Sequence, residues 1–118
     1  MYFGGEKVVK KKYEEGSFGA YLVELLAVRK YSQSKFAKDL GVSKTYLFDV
    51  FNGRVKPPTP DKQDIIVELL DLNEKEKNDF FNKAALGRNE LPKDIVNYLT
   101  KNQSEIENLR EKMRELAI

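Results

Sequence analysis

The chain contains no cysteine and no histidine among its 118 residues. Without cysteine there is no disulfide framework, no thiolate metal site and no cysteine nucleophile. Without histidine, the side chain that most readily exchanges protons near neutral pH is missing, so the serines have no such base beside them. A glycine-rich phosphate loop and metal-ligand spacing are also absent from the sequence. We therefore expect a protein that is not an enzyme and holds no cofactor or metal.

Long apolar runs are also missing. The best candidate, residues 20–28, is interrupted by Glu24 and is about half the length that a membrane span requires. The opening MYFGGEKVVKKK lacks the apolar stretch of a signal peptide. These features predict a cytoplasmic protein with no membrane partner.

The net charge of +2 hides an uneven distribution. Residues 17–60 carry seven basic and three acidic side chains, whereas residues 61–118 carry ten basic and thirteen acidic ones. A basic front half is typical of a protein that binds a polyanion. Chance scatter of surface charges would give the same numbers, and charge alone does not separate these interpretations.

Apolar residues recur at helical spacing, and no alternating run is long enough to predict a strand. The pattern therefore predicts an all-α fold. Serines at positions 17, 32 and 43 are expected to cap the first three helices, and Gly41 is expected to end the second in a left-handed conformation. Asn52-Gly53 closes the third helix, and the prolines of KPPTP form a connector.

Four more helices follow the connector. Thr59-Pro60 opens the fourth helix, and Asn73 with Glu76 forms a capping-box pattern for the fifth. Gly87 is predicted to end that helix, and Leu91-Pro92 opens a sixth. Asn102 with Glu105 predicts a new cap and a separate final helix over residues 103–117.

One stretch, SQSKFAKDLGVSKTYLFDVFNGR, stands out for its polar face. On a helix after Ser43, the apolar side of the third helix consists of Leu47, Val50 and Phe51. The opposite side combines a cation, a hydroxyl, an aromatic ring, a carboxylate and an amide, in Lys44, Thr45, Phe48, Asp49 and Asn52. Such side chains are the ones that contact base edges in the major groove of DNA.

This stretch resembles the lambda-repressor-like helix-turn-helix family of the XRE type. In that pattern Ser/Thr-Gln opens the second helix, as Ser32-Gln33 does here, alanine packs where the helices cross (Ala37), and glycine makes the turn (Gly41). The resemblance covers roughly residues 17–72 and implies a compact five-helix domain, here with additional C-terminal helices. It also implies a sequence-specific regulator of transcription, most simply a repressor, that binds double-stranded operator DNA as a homodimer.

The sequence predicts three domains, and the resemblance, which says nothing about residues 73–118, implies a set of site residues. Residues 1–16 would be a basic N-terminal arm, residues 17–72 the DNA-binding domain, and residues 73–118 a helical extension with a role in dimerisation. Whether VVKKKY in the arm is a solvated tail or contacts the DNA backbone stays open. The DNA-binding residues would be Gln33, Ser43, Lys44, Thr45, Tyr46, Phe48, Asp49, Asn52, Arg54 and Lys56.

The implied roles divide between bases and phosphates. Lys44, Thr45 and Asp49 would face base edges. The carboxylate of Asp49 would either accept a hydrogen bond from the amino group of cytosine or weaken DNA binding by its negative charge. Ser43, Tyr46 and Arg54 would hold phosphates, and Gln33 would contact a phosphate or brace the third helix. The structural alternatives are capping for Gln33 and Ser43, a half-buried core ring for Tyr46, and a solvated face for the base-facing residues.

Two positions depart from the family pattern. Many members place an arginine in the first helix and a glutamate just before Asn-Gly, as a buried ion pair. Here the corresponding residues are Leu26 and Phe51. Because both are apolar, neither leaves an unpaired charge, and we expect the two side chains to contact each other.

The final helix offers a dimerisation seam. Ile106, Leu109, Met113 and Leu116 step by three, four and three, as in a coiled coil. The seam is shorter than two heptads, so folding back onto the sixth helix is an equal alternative.

A further alternative concerns function: the same fold serves protein-interaction modules such as antitoxins or adaptors, and this chain would then bind a protein partner.

Overall fold

The computed structural model describes residues 13–116, and this part of the chain contains seven α-helices and no strand. The predicted all-α class is confirmed. The helices are α1 (Phe18–Val28), α2 (Gln33–Leu40), α3 (Lys44–Phe51), α4 (Pro60–Leu70), α5 (Glu74–Arg88), α6 (Lys93–Lys101) and α7 (Gln103–Glu115).

Short polar side chains begin four of these helices. The hydroxyl oxygens of Ser17, Ser32 and Ser43 each accept the backbone N–H three residues ahead, at 3.0–3.1 Å. Asn73 and Glu76 form the complete capping box, with bonds of 2.8 and 3.0 Å. These caps satisfy N–H groups that a helix start otherwise leaves without a partner, and they confirm the predicted starts. Thr59 precedes α4 without a side-chain capping bond.

One apolar core joins α1 to α5. Burial of this apolar surface is the main force that holds the five helices together. The core continues past residue 72, because α5 contributes Phe80 and packs against α1. We call residues 18–88 the body. Its buried core side chains are Phe18, Leu22, Leu25, Leu26, Phe36, Ala37, Leu40, Leu47, Val50, Phe51, Ile66, Leu70, Leu72, Phe80, Phe81 and Ala84.

Leu26 and Phe51 both lie in this core, each 2% exposed. Their burial agrees with the apolar replacement of the family's ion pair, and their mutual contact stays a prediction. The ring of Tyr13 packs edge-on against Phe51, with centroids 6.3 Å apart. Tyr13 belongs to the segment predicted as an arm, whose residues 1–12 lie outside the described residues.

Gly19 allows α1 to cross the end of α3 at very short range. A Cβ at this position would lie 2.2 Å from the carbonyl oxygen of Phe51 and 2.6 Å from that of Val50. These are backbone atoms, which cannot turn aside as a flexible side chain can. The crossing therefore requires glycine.

The predicted end of α5 at Gly87 is wrong. The helix continues to Arg88, and Asn89 ends it in a left-handed conformation with φ of 59°. Asparagine tolerates that conformation better than most residues. Gly87 has a packing role, since a Cβ there would lie 2.6 Å from Cγ of Pro57.

Arg29 links α1 to the junction of α4 and α5. Its Nε donates to the backbone oxygen of Leu70 at 2.5 Å, and its Nη2 donates to Oε1 of Glu76 at 2.7 Å. This bond, together with the backbone N–H of Asn73, lowers the pKa of the Glu76 carboxyl. The carboxylate thus both caps α5 and pairs with α1.

The last two helices differ from the body, because the structure describes all of α6 and α7 and shows no buried residue in either. We call residues 93–116 the extension. α7 begins at the predicted position, but the predicted Asn102 cap is wrong: its Nδ2 donates backwards to the carbonyl oxygen of Tyr98 at 2.8 Å.

Within residues 13–116, no helix is long and apolar enough to cross a membrane.

Candidate nucleic-acid interface

A three-residue turn sets the angle between α2 and α3. Gly41 ends α2 with φ of 81°, and its N–H and that of Val42 both donate to the carbonyl of Ala37, at 2.9 and 3.0 Å. An added Cβ at Gly41 would meet nothing within 4 Å, so the backbone conformation alone favours glycine there. Ser43 then caps α3. The sequence therefore specifies both the turn and the start of the third helix.

Burial fixes which side of α3 points outward. Leu47, Val50 and Phe51 are each 2% exposed and pack into the core. The opposite side leaves Lys44 and Thr45 exposed. These are the two faces that the sequence predicts.

The start of α2 and the outer face of α3 border a single surface groove. Its polar edge brings Gln33, at the start of α2, together with Lys44 and Thr45 of α3. Apolar side chains, including the 41% exposed ring of Phe48, complete its lining. The groove thus presents an amide, an ammonium group and a hydroxyl beside an aromatic ring, all able to contact base edges or phosphates.

Asp49 and Arg54 form an ion pair at the end of α3. Gly53, with φ of 72°, turns the chain back so that the N–H of Arg54 donates to the carbonyl of Asp49 at 2.9 Å. The guanidinium Nη1 then lies 3.3 Å from Oδ1 of Asp49, and its Cζ lies 5.6 Å from the ring centroid of Phe48. Residues five apart do not share a helix face, so helical spacing alone does not reveal this pair. The Asn-Gly helix end was the signal that could have found it.

Three other predicted residues have structural contacts of their own. The hydroxyl of Ser43 accepts the N–H of Tyr46, and the side-chain amide of Asn52 donates to the carbonyl of Phe48 at 2.8 Å. The ring of Tyr46 is half-buried against the core, and burial raises the pKa of its hydroxyl. The phenol therefore stays protonated at neutral pH and keeps its O–H as a donor.

The connector after α3 is held in place from two sides. Arg88 Nη1 donates to the carbonyl of Pro57 at 3.1 Å, and Gln63 Nε2 donates to that of Pro58 at 2.9 Å. Gln63 is only 3% exposed. Lys56 is exposed just before the two buried prolines, so its backbone is fixed while its ammonium group faces solvent. Helical periodicity predicts neither anchor, because the partner of each side chain is a backbone carbonyl of the connector, outside any helix.

The chemistry of this surface suits binding. Its exposed groups are cations, hydroxyls, amides and one ion-paired carboxylate. In residues 13–116 no group of three or more acidic residues is arranged to hold a metal ion. The surface offers donors and charge at fixed positions, as a phosphate backbone and base edges require.

A comparison with protein families identifies this region. A family model described as helix-turn-helix matches residues 24–76, from the middle of α1 to the first turn of α5. The match confirms the resemblance to the lambda-repressor-like, XRE-type family that the motif between Ser32 and Arg54 predicts. No curated protein and no solved structure matches the chain significantly. The helices α6 and α7 lie outside the matched residues.

Proposed function

From the helix-turn-helix domain that residues 24–76 form, we propose that this protein is a transcription regulator that binds specific double-stranded DNA sequences and acts as a repressor. The family is one of DNA-binding regulators, which supports the general activity. The observation that carries the proposal is the outer face of α3, where exposed polar residues border one groove with the start of α2. A cytoplasmic location, with access to the DNA, is part of the same proposal.

In this proposal α3 is the recognition helix and lies in the major groove. Lys44 and Thr45 contact base edges, because both are exposed on the side of α3 that faces away from the core. Gln33, Ser43, Tyr46 and Lys56 contact phosphates around it, in keeping with their positions at the starts of two helices and in the anchored connector.

Asp49 acts through Arg54. Its carboxylate lies 3.3 Å from the guanidinium, which supports a role in orienting Arg54 toward the DNA rather than a separate contact with cytosine. The pair also explains how a carboxylate is tolerated on this face, since the adjacent cation offsets its repulsion of phosphates. Phe48 stacks on the same guanidinium and restricts its position further.

We place the dimer contact in the extension, on the seam of Ile106, Leu109, Met113 and Leu116. Leu109 and Met113 are 48% and 47% exposed, which leaves the seam accessible to a second copy. One recognition helix covers only a few base pairs, and two of them about 34 Å apart on a palindrome multiply the discrimination.

The primary test is a titration of the full chain with two duplexes, one from upstream of its own gene and one of scrambled sequence, at about 50 and 200 mM salt. We expect tighter binding to the upstream duplex and a steep loss of affinity with salt, because each phosphate contact releases counterions. Failure to bind any duplex, from a pool of random sequences as well, would overturn the proposal and favour the protein-interaction alternative.

A matched pair of lysine variants separates base contacts from phosphate contacts. On duplexes selected by the wild-type chain, Lys44→Ala should cost about 1–3 kcal/mol of specific binding and relax the preference at one base pair. Lys56→Ala should weaken binding to specific and to random duplexes alike. It should also reduce the slope of log affinity against log salt concentration by about 1 per site. If Lys44→Ala weakens both kinds of duplex equally, its assignment to a base edge is wrong.

A double-mutant cycle tests the role of Asp49. Asp49→Ala should weaken specific binding in the wild-type background and have little effect when Arg54→Ala is already present, because its action requires the guanidinium. Independent, additive losses would instead assign Asp49 a contact of its own with the DNA.

A further inference from the structure

The extension exposes apolar side chains along both of its helices. Ile95, Leu109 and Met113 are each 45–48% exposed, and Leu116 is 64% exposed. A surface helix normally turns its apolar stripe onto a core. Neither described helix of the extension buries a residue, so folding back within one chain does not cover these side chains.

The coiled-coil spacing of α7 continues through the break into α6. Leu99 lies seven residues before Ile106, and Ile95 lies four residues before Leu99, which keeps the alternation of four and three. Asn102 occupies the intervening core position. The combined seam spans residues 95–116, or about three heptads, which is the length that indicates a stable coiled coil.

The break between α6 and α7 is confined to one residue. Asn102 has φ of −132° and ψ of 71°, outside the helical region. Its Nδ2 donates to the carbonyl of Tyr98, and Nε2 of Gln103 donates to that of Thr100 at 3.2 Å. These side chains serve carbonyls that lose their helical partners at the break. Rotation of this one residue into the helical region would join the two seams on one face.

Charges beside the seam bear on how two copies would pair. In a parallel pair, Glu105 of one copy flanks Arg110 of the other, on both sides of the seam. In the antiparallel pair that sets Leu109 opposite Met113, Arg110 flanks Arg110, and Lys112 flanks Lys112. Opposite charges attract and like charges repel, so the flanking residues favour the parallel orientation over this antiparallel register.

We infer that the partner of the extension is a second copy of this chain, and that residues 93–116 of the two copies pair in parallel as one continuous helix each. The inference deepens the proposed dimer and rests on it. Asn102 then lies in the core of the pair, where a polar residue fixes register at some cost in stability. Because the helices run in parallel, both bodies lie at the same end of the pair.

The chain has no cysteine, so single cysteines report the orientation directly. We would make Leu99→Cys, Leu109→Cys and, as an outward-facing control, Glu111→Cys in the full chain, and oxidise each without DNA. A parallel pair brings identical seam residues within the Cα separation of about 7 Å that a disulfide needs. We expect Leu99→Cys and Leu109→Cys to cross-link at least about tenfold faster than Glu111→Cys, because the pair holds its seam thiols at a high effective concentration.

Mixed disulfides between Leu109→Cys and Met113→Cys chains, with few between Leu109→Cys chains, would overturn the parallel orientation. Cross-linking at Leu109→Cys but not at Leu99→Cys would overturn the continuous helix. Sedimentation supplies a second measurement: Arg110→Glu should weaken the dimer, and adding Glu105→Arg should restore it. If the double variant stays as weak as Arg110→Glu, the inferred charge pairing is wrong.

These experiments contain no DNA, so they can fail while the salt-dependent titration succeeds. Conversely, a chain that cross-links as expected but binds no duplex would retain the pairing and contradict only the proposed function.

Discussion

Four of the five helices of the body begin with a side-chain cap, whereas in the described chain neither helix of the extension does. The body also buries a stripe of each of its helices in one core, and the extension buries none. The four capped helices of the body are therefore specified twice, by a local signal and by packing. The extension has the apolar periodicity alone, and a helix without packing is marginal at this length. The comparison separates a part of the chain whose helices are packed in a core of their own from a part whose helices are not.

The largest expected effect is a charge placed in the core of the body. Phe51→Glu should lower the free energy of unfolding by about 3–5 kcal/mol, because it buries a carboxylate without a partner. Adding Leu26→Arg should recover part of this loss if the two positions are neighbours. Urea unfolding measures both, and strictly additive losses would show that they are not.

The matched change in the extension is Met113→Glu. Measured at a concentration at which the chain is monomeric, this substitution should change the free energy of unfolding of the body by about 0.5 kcal/mol or less, as surface substitutions usually do. A loss comparable to that of Phe51→Glu would remove the contrast between the two regions.

Removal of α7 should affect binding and leave stability intact. A chain ending at Asn102 should be monomeric and lose about 100-fold in operator affinity, because the second recognition helix is no longer tethered to the first. Its urea unfolding midpoint should match that of the full chain in the monomeric state. Sedimentation and a duplex titration measure these effects; a truncated chain that remains a dimer, or a full chain that is monomeric at high concentration, would contradict the prediction.

A methyl group at the α1–α3 crossing should produce the next largest effect. Gly19→Ala should cost about 1–3 kcal/mol, since the added Cβ meets the carbonyl oxygens of Val50 and Phe51. Gly87→Ala is the matched comparison, because its Cβ meets the side-chain ring of Pro57 rather than backbone atoms. A smaller loss for Gly19→Ala than for Gly87→Ala, by thermal or urea unfolding, would argue against a rigid crossing.

The smallest expected loss of stability within the body concerns the capping carboxylate of Glu76. Glu76→Gln should cost about 1 kcal/mol at neutral pH, through a weaker cap and the lost ion pair with Arg29. The folded state lowers the pKa of this carboxyl, so its contribution is complete above the unfolded pKa and is lost as the pH falls through the folded one.

The difference in unfolding free energy between wild type and Glu76→Gln should therefore narrow from pH 6 toward pH 3. Glu74→Gln serves as the control, because its carboxylate is 87% exposed in a surface pair with Lys77 and should contribute little at any pH. A pH-independent difference for Glu76→Gln would show that the charge is not responsible.

Local signals made most of the fold predictable. A serine before an apolar stripe, or an asparagine three residues before a glutamate, acts within one turn of chain, so the starts of α1, α2, α3 and α5 could be predicted without knowledge of the tertiary structure. The same locality explains the errors. Gly87 resembles a helix end but serves the approach of Pro57, and Asn102 resembles a cap but bonds backwards to Tyr98.

The candidate site was predictable to a similar degree. Periodicity and the family resemblance separate the buried face of α3 from the outer one. They do not reveal the bonds that side chains make with the backbone of the connector or with other helices. The bonds of Arg88 and Gln63 to the connector join residues that no periodicity relates. Arg29 shares the spacing of the α1 stripe, yet its guanidinium bonds a backbone carbonyl and a carboxylate on other helices.

The anchored connector has a consequence for the thermodynamics of DNA binding. Loops that become ordered on contact give association a large unfavourable entropy and a strongly negative heat-capacity change. Here the backbone around Lys56 is already held by Arg88 and Gln63 in the free protein. Calorimetry should then find that Lys56 contributes mainly the entropy of released counterions, with little change in heat capacity when it is replaced by alanine.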